Sequence, residues 1–362
     1  MSVRKRSVRL VVWISLLTTL LVLVACSACS PKGSGTTAGP VHLQGAGATF
    51  PNPLYQKWVS EYGKRHADIK IDYQSIGSGG GIKQTKEQTV DFGASDAPMS
   101  DADLKAAPGE ILHIPTVLGA VVLTYNLEAV AQTLHFSPDV VADIFLGKIK
   151  KWNDPRIGAD NPGVKLPAAD ITVVHRSDGS GTSAVFTDYL SKVSPEWKEK
   201  VGTGPSPSWP VGLGGKGNEG VTGQVKNTPN TIGYVELVYA VQNKLPVAQI
   251  KNASGAFVDP SPGSVMAAAA DSASTTPDDL RVSITNAPGG QAYPIASYTY
   301  ILVYKNQKDA TKGKVLVDFL WWALHDGKPF VGELGYVALP DDILKRAEPK
   351  INSITAGGAP LR

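Results

Sequence analysis

Short stretches of alternating apolar and polar residues recur along the chain, and each is followed by a polar turn and a helical pattern. VHLQ begins at Val41 and IKIDY begins at Ile69, and both alternate in the manner of half-buried strands. Past the first turn, apolar residues recur at the spacing of one helix face: Leu54, Trp58, Val59 and Tyr62. Repeated strand–turn–helix units predict an α/β fold in which helices pack on mainly parallel sheets.

Four polar turns stand where a predicted strand ends and a predicted helix begins. Their sequences are GAGATF, GSGGG, GASDAP and SDGSGT, at residues 45–50, 77–81, 93–98 and 177–182. In open α/β sheets, ligands bind beyond the carboxyl ends of the strands and at helix N-termini. We therefore expect these four turns to contribute to one ligand site.

Two long apolar stretches divide the chain into lobes. ILHIPTVLGAVVLTYN, at residues 111–126, is too long for one ordinary strand and is expected to carry the chain from one lobe to the next. QAYPIASYTYILVYKN, at residues 291–306, is expected to bring it back. We predict that residues 41–115 and 292–362 form lobe 1 and that residues 116–291 form lobe 2.

The first 25 residues have the layout of a secretory signal. MSVRKRSVR carries four basic residues and no acidic ones, and an apolar run then extends to Cys26. The run is short for a membrane span, although a retained anchor is the alternative. LVAC, which ends at Cys26, resembles the bacterial lipobox, whereas the rival Cys29 lacks the upstream aliphatic residue. We predict a lipoprotein signal peptide over 1–25, lipidation at Cys26 and a flexible tether over 26–40.

Charge and cysteine content limit the partners of the exported part. The whole chain has a formal net charge of +3, from 35 basic and 32 acidic residues. Removing residues 1–25 deletes four of the basic residues and none of the acidic ones, which leaves a net charge of −1. The basic excess therefore belongs to the signal and implies no nucleic-acid partner. Both cysteines lie at or before Cys29, so the exported domain is expected to fold without a disulfide.

The turn HRSDGSGTSAVF, from His175 to Phe186, holds the residue types of a hydrolase triad. His175, Asp178 and Ser180 lie within six positions, however, and triad members normally converge from different elements. DGSGT also lacks the G-x-S-x-G spacing of a nucleophile elbow. Phosphate-loop and metal-site patterns are weak as well, because Lys216 is followed by glycine and the six histidines are scattered.

The same turn fits an anion site. Ser180, Gly181 and Thr182 at a helix start would present backbone N–H groups and two hydroxyls, and the helix dipole favours negative charge there. Arg176 would add a permanently charged fork, which Asp178 would hold in place. The alternative is that Ser180 and Thr182 only cap the helix, and this turn alone does not decide between the two.

The other turns favour the anion site. Thr49, the N–H of Phe50 and Ser78 would supply further donors, although each could also be a structural cap. Asp96 would repel an anion unless that anion carries a proton, in which case the carboxylate accepts a hydrogen bond from the ligand. Sulfate has no such proton at neutral pH and would leave the carboxylate unpaired against its oxygens. The alternative for Asp96 is the cap of a helix that begins near Pro98.

Seven motifs together resemble the periplasmic phosphate-binding proteins of bacterial phosphate ABC transporters. They are GAGATFPNP, YQSIGSGGG, VDFGASDAPMS, FLGKIKKWNDP, HRSDGSGTS, WPVGLGGKGNEGV and IGYVE. The resemblance covers residues 43–339 and departs from the family where Gly79 replaces a common second serine. It implies phosphate contacts at Ala48, Thr49, Phe50, Ser78, Asp96, Arg176, Ser180, Gly181 and Thr182, with Asp178 supporting the arginine. No ligand role is expected for WPVGLGGKGNEGV, which we interpret as structural.

The resemblance also implies the fold and the biology. It implies a two-lobed periplasmic-binding-protein fold of type II, with the ligand in the cleft between the lobes. The expected protein is a monomer without cofactor or metal, is not an enzyme, and lies in the periplasm or on the outer face of the cell membrane through a lipid anchor. It would pass inorganic phosphate to the transmembrane permease subunits of an ABC transporter. The alternatives are an exported phosphatase or phosphotransferase that uses Ser180, and a binder of sulfate or molybdate, which conflicts with Asp96.

Overall fold

Strands and helices alternate in the computed structural model, which describes residues 39–128 and 130–362. The predicted signal peptide, Cys26 and nearly all of the predicted tether lie outside the described residues. The strands are β1 Val41–Gly47, β2 Ile69–Ser75, β3 Phe92–Ser95, β4 Ile111–Asn126, β5 His135–Phe136, β6 Thr172–Arg176, β7 Leu213–Gly215, β8 Thr231–Glu236, β9 Gln249–Lys251, β10 Phe257–Val258, β11 Ala296–Tyr304, β12 Asn306–Gln307, β13 Val337–Ala338, β14 Thr355–Ala356 and β15 Ala359–Pro360. The helices are α1 Asn52–Arg65, α2 Ser78–Glu87, α3 Asp101–Ala106, α4 Pro138–Phe145, α5 Pro155–Asp160, α6 Gly181–Val193, α7 Pro195–Lys200, α8 Gly217–Asn227, α9 Leu237–Gln242, α10 Pro262–Ser272, α11 Ala310–Leu324, α12 Pro329–Glu333 and α13 Asp341–Asn352.

One large mixed sheet organises the molecule. Its strand order is β2-β1-β3-β11-β4-β8-β6-β7, with β13 pairing β4 as well. The outer strands pair in parallel, β1 with β2 and β3 on one side and β6 with β7 and β8 on the other. β4 and β11, in the middle, pair antiparallel with their neighbours. The predicted parallel pairing therefore holds for the outer strands, whereas the long strands at the centre do not follow it.

The apolar run at residues 111–126 is one strand, β4, 16 residues long. The sequence analysis expected this run to be too long for one strand, but β4 pairs with two different strands along its length. Its residues 111–120 pair with β11 and its residues 121–126 pair with β8. β4 therefore joins a first half-sheet of β1, β2, β3, β11 and β13 to a second half-sheet of β6, β7 and β8. Nearly all of its side chains are buried, because α6, α8, α9, α10 and α13 pack against this strand.

Strand register brings the predicted polar turns to common edges. In the first half-sheet, Gly47 at the end of β1 lies beside Ser75 of β2 and Ala94 of β3. In the second, Arg176 at the end of β6 lies beside Gly215 of β7. Parallel strands that end in register place the turns that follow them side by side. Each half-sheet therefore presents a group of strand-to-helix turns at one edge.

Residues 40–362 form one compact unit. The alanine-rich segment SVMAAAADS forms most of α10, which buries Val265, Ala268 and Ala269 along one face. Across residues 39–128 and 130–362, none of the helices combines the length and apolar character needed to traverse a bilayer.

Candidate anion-binding site

The N-terminus of α6 carries both the cap and the free donors that the sequence left as alternatives. Ser180 Oγ accepts a hydrogen bond from Ser183 N–H at 3.0 Å, so Ser180 caps the helix. The first intrahelical bond runs from Ala184 N–H to Ser180 O at 3.0 Å. The N–H groups of Gly181 and Thr182 come before that bond and face the helix entrance. Capping and anion binding are therefore compatible at this turn.

Arg176 and Asp178 form the predicted pair. Arg176 Nε and Nη2 donate to the two carboxylate oxygens of Asp178 at 2.8 and 2.6 Å, and Arg176 Nη1 lies 3.3 Å from Thr182 Oγ1. Asp178 also accepts from Gly217 N–H at 3.0 Å. Burial acts to raise the pKa of the Asp178 carboxyl, but the Arg176 bonds outweigh it and hold this pKa below its ordinary value. The guanidinium, whose side chain is 1% exposed, is thereby fixed in position.

The structure does not assemble the triad that was weighed for this turn. His175 stacks on Trp209 with ring centroids 4.9 Å apart, and its Nδ1 lies 3.0 Å from the carbonyl oxygen of Arg176. Asp178 is occupied by Arg176 and Gly217 rather than by a histidine. Ser180 Oγ therefore has neither of its expected partners, and it accepts a hydrogen bond from the backbone N–H of Ser183 instead.

Two turns of the first half-sheet supply further donors. Thr49 and Phe50 precede α1, whose turn begins with a bond from Asn52 N–H to Thr49 O at 3.2 Å. Ser78 is the first residue of α2 and is buried. Ala48 differs from these residues, because its N–H donates to Ala94 O at 3.0 Å and its carbonyl accepts from Tyr73 Oη at 2.7 Å. Both polar backbone groups of Ala48 are thus engaged within the protein.

Asp96 is a buried carboxylate among these donors and does not cap a helix. α3 begins at Asp101, and its cap is Ser100, which accepts from Asp103 N–H at 3.1 Å. The Asp96 carboxylate instead accepts from Thr299 Oγ1 at 2.9 Å and lies 3.4 Å from Ser78 Oγ. Burial raises the pKa of Asp96 to about 7, although the bond from Thr299 and the charge of Arg176 act to lower it. The alternative of an Asp96 cap near Pro98 is therefore wrong.

The turns of the two half-sheets meet at van der Waals distance. Gly79 N–H donates to Gly179 O at 2.8 Å, which links the start of α2 to the turn before α6. A Cβ atom on Gly181 would lie 2.5 Å from Asp96 Oδ2 and closer still to Ser78 Oγ. A Cβ on Gly79 would lie 3.0 Å from Gly179 Cα, so the glycine that departs from the family's common serine allows this close approach. The molecule is closed around the predicted site.

Asn218 is a site residue that the sequence analysis missed. It lies in the first turn of α8, within the WPVGLGGKGNEGV segment that was interpreted as structural. Its Nδ2 is 2.7 Å from Thr49 Oγ1 and 3.2 Å from Thr182 Oγ1, and its side chain is fully buried. A signal existed, because this segment is another strand, glycine turn and helix start, the pattern used to find the other turns. Tyr239 also reaches the site from α9, since its hydroxyl donates to Thr49 O at 2.5 Å.

Comparisons with known proteins agree with this architecture. Residues 30–325 match the model of the PBP superfamily domain. The phosphate-binding protein PstS of Pasteurella multocida is 48% identical over 84% of this chain and 88% of its own length. That relative is named as a binding protein, which confirms the expectation that this chain is not an enzyme.

Solved structures show the same fold at low identity. A phosphate-binding protein from Stenotrophomonas maltophilia aligns with a TM-score of 0.65 and 21% identity, covering 85% of this chain and 93% of its own. An ABC-type phosphate transport receptor from Vibrio cholerae aligns with a TM-score of 0.54 and 17% identity, covering 82% and 100%. These alignments confirm the predicted two-lobed periplasmic-binding-protein fold. The chain belongs to the PBP superfamily and, within it, to the PstS family of phosphate-binding proteins.

Proposed function

We propose that this protein binds one phosphate ion between its two half-sheets, without catalysis, and delivers it to the permease subunits of a phosphate ABC transporter. The observation that carries this proposal is the buried carboxylate of Asp96, which meets the N-terminus of α6 and lies within the electrostatic reach of the fixed Arg176 guanidinium. A fully deprotonated anion would be repelled by that carboxylate. An anion that keeps one proton would be held by it, which is the state of phosphate near neutral pH.

The proposed contacts come from the four polar turns, including that of Asp96. Gly181 and Thr182 would donate through their N–H groups, as would Phe50 and Ser78, and four hydroxyls would add further bonds: those of Thr49, Ser78, Ser180 and Thr182. Arg176 has five N–H donors, of which three are engaged within the protein, so two remain for the ligand. Ala48 would contribute nonpolar contact alone, because its N–H and carbonyl are already bonded.

This number of donors is sufficient for a scavenging protein. Micromolar binding requires about 8 kcal/mol. Charge-assisted hydrogen bonds contribute roughly 1.5–3 kcal/mol each, against an association cost of at least about 4 kcal/mol. About six such bonds in a dry cleft would therefore reach micromolar affinity. Because the donors lie on both half-sheets, opening and closing about the strands that join them would accompany binding and release.

Selectivity against sulfate would come from one proton shared by Asp96 and the ligand. The pKa of about 7 for Asp96 means that ionising this carboxyl in the closed site is costly unless it receives a hydrogen bond. Hydrogen phosphate supplies that bond through its own O–H. Sulfate cannot supply it, so sulfate would leave two unprotonated oxygens facing each other in a buried site.

The remaining parts of the proposal concern location and assembly. The exported chain would act as a monomer outside the cytoplasm, in the periplasm or on the outer face of the cell membrane, held by a lipid on Cys26 and a tether over 26–40. Lobe 1 would comprise residues 41–115 and 292–362, and lobe 2 residues 116–291. The partner of β4 changes between Ala120 and Val121, a few residues past the proposed first boundary. Mass spectrometry of the mature N-terminus tests the lipid, and an unmodified Cys26 would overturn it.

Calorimetric titration tests the ligand and the role of Asp96 together. The domain that begins near Gly39, stripped of bound anion, is titrated with phosphate and then with sulfate, and both titrations are repeated on Asp96→Asn. We expect one-to-one phosphate binding in the wild type and, at about pH 8 where Asp96 is ionised, no sulfate response. The Asn variant should gain sulfate binding, because its amide can donate to a sulfate oxygen. A wild-type protein that gives no heat with phosphate, or that binds sulfate equally well at neutral pH, would contradict the proposal.

A further inference from the structure

Asn218 lies between two of the hydroxyls that the proposed function uses. Its side-chain Nδ2 is 2.7 Å from Thr49 Oγ1 and 3.2 Å from Thr182 Oγ1, and its backbone N–H is 3.2 Å from Thr49 Oγ1. Thr49 and Thr182 follow strands of different half-sheets, β1 and β6. A single buried amide therefore contacts one hydroxyl from each side of the site.

These contacts fix the direction of both hydroxyl protons. A hydroxyl has two acceptor lone pairs and one proton. Thr49 Oγ1 accepts from the N–H and the Nδ2 of Asn218, which uses both lone pairs. Thr182 Oγ1 accepts from Asn218 Nδ2 and from Arg176 Nη1 at 3.3 Å. Each hydroxyl can then act toward a ligand only as a donor.

The amide of Asn218 is itself held in the orientation that this requires. Its Oδ1 accepts from Glu236 N–H at 3.0 Å, at the end of β8. A flipped amide would point its NH₂ group at that N–H and its oxygen at the threonine hydroxyls, so one donor–donor contact would replace a hydrogen bond. The Glu236 carboxylate accepts from Val238 N–H at 2.8 Å, which holds this part of the chain in place.

We infer that Asn218 is a positioning residue that sets the anion specificity of the site by holding the hydroxyls of Thr49 and Thr182 as obligatory donors. This inference rests on the proposed phosphate site and deepens it. Among the described side chains proposed to contact the ligand, the Asp96 carboxylate is then the one that, when ionised, can only accept. The site offers an acceptor for one ligand proton and donors for the other oxygens, which matches hydrogen phosphate and disfavours ligands with more protons or with none.

Titration of Asn218→Ala with phosphate tests the inference. We expect the Kd to rise by about tenfold to a hundredfold, the range expected when hydrogen bonds to a charged ligand are weakened. The matched control is Asn126→Ala, because Asn126 Nδ2 donates to the carbonyls of Val225 and Lys226 at the other end of the same helix. The control should lose some stability and keep its phosphate affinity within about twofold.

A mutant cycle separates positioning from general damage. If Asn218 acts through the two hydroxyls, its replacement should matter little once they are gone. We expect Asn218→Ala to cost less than about threefold in a Thr49→Val/Thr182→Val background. A loss there as large as in the wild-type background would overturn the inference.

The pH dependence provides a second readout that a purely structural loss would not change. From about pH 8 to about pH 5.5 phosphate gains a second proton, which a freed threonine oxygen could accept. The ratio of variant to wild-type Kd should therefore be larger at about pH 8 than at about pH 5.5, and an equal ratio would contradict the inference. The wild type and the variant share the same charged and titratable groups around the two threonines, so the titration of those groups largely cancels in this ratio. These groups are Asp96, Arg176, Asp178, Glu219, Glu236 and Tyr239.

A second variant and the wild type complete the test. Asn218→Ser keeps an oxygen that can accept from Glu236 N–H, but its hydroxyl cannot donate to both threonines at once. This variant replaces Asn218→Ala in the test if the alanine variant does not fold. We expect an intermediate rise in Kd from it. Wild-type protein that does not bind phosphate would refute the proposed function itself. Wild-type binding with either Asn218 variant unchanged would refute only the role of Asn218.

Discussion

Replacing Gly181 by alanine should prevent the closed arrangement without disturbing either half of the molecule. The new Cβ would lie 2.5 Å from Asp96 Oδ2 and 2.7 Å from Asp96 Cβ, with Ser78 Oγ closer still. A methyl carbon needs about 3.5 Å from a neighbouring heavy atom, so the two sides would have to separate by roughly 1 Å. Gly181 lies at the first position of α6 and has no positive φ, so its backbone accepts alanine.

The expected loss follows from the bonds that closure provides. With the half-sheets held apart, a phosphate bound at α6 would lose contacts to Thr49, Ser78 and Asp96. Losing two charge-assisted bonds at about 1.5–3 kcal/mol each costs about 3–6 kcal/mol, which is more than a hundredfold in Kd. Calorimetric titration measures this, and small-angle scattering with saturating phosphate should show a less compact variant than the wild type.

A second glycine provides the control for the alanine substitution. Gly223 lies within α8, and a Cβ there would meet nothing within 4 Å. Gly223→Ala should raise the free energy of unfolding by up to about 1 kcal/mol and leave the phosphate Kd unchanged. If Gly181→Ala binds phosphate as tightly as this control, the contact between α6 and Asp96 does not belong to the ligand-bound state, and the site is assembled differently.

Two further predictions concern pH and closure. Because burial raises the pKa of Asp96 to about 7, its neutral form stabilises the ligand-free closed protein in acid, and this contribution is lost as the pH rises through about 7. Below that pH the protonated carboxyl can donate to sulfate, so sulfate titrations should show binding that appears in acid and vanishes by about pH 8. A sulfate response that does not depend on pH would contradict the assignment of this titration to Asp96. Tyr239→Phe removes the hydroxyl that donates to Thr49 O at 2.5 Å and lies 3.1 Å from Glu219 Oε1. Phosphate affinity should fall about three- to tenfold because the Thr49 carbonyl loses one of its two donors and keeps only Asn52 N–H, and an unchanged Kd in titration would show that Tyr239 does not support closure.

Local sequence was sufficient for the strand ends and for the ion pair. Arg176 and Asp178 stand two residues apart at the end of a strand, so their contact depends little on the rest of the fold. The cap at Ser100 likewise lies within one turn, because Ser100 Oγ accepts from the N–H of Asp103 three residues on. Such features follow from backbone geometry within one turn, and for that reason a sequence pattern predicts them.

The assignment of Asp96 and the role of Asn218 needed the fold. Nothing near Asp96 in sequence shows that Thr299 donates to it from β11. Asn218 contacts Thr49 across a separation of 169 residues, and the strand, glycine turn and helix start around it do not show by themselves which turn of the other half-sheet they meet. Contacts of this kind depend on the order of strands in the sheet, which short-range pattern does not encode.

The sequence by itself determined the α/β class, the turns at the strand ends, the donors in those turns and the resemblance to a phosphate-binding family. These depend on periodicity, on glycine and serine at helix starts, and on motifs that are contiguous in the chain. The tertiary structure decided that β4 serves both half-sheets, that Gly79 and Gly181 let the two sides touch, and that Asn218 joins Thr49 to Thr182. The reason is that closure and proton direction are set by distances between elements remote in the chain, and only the folded packing of those elements fixes such distances.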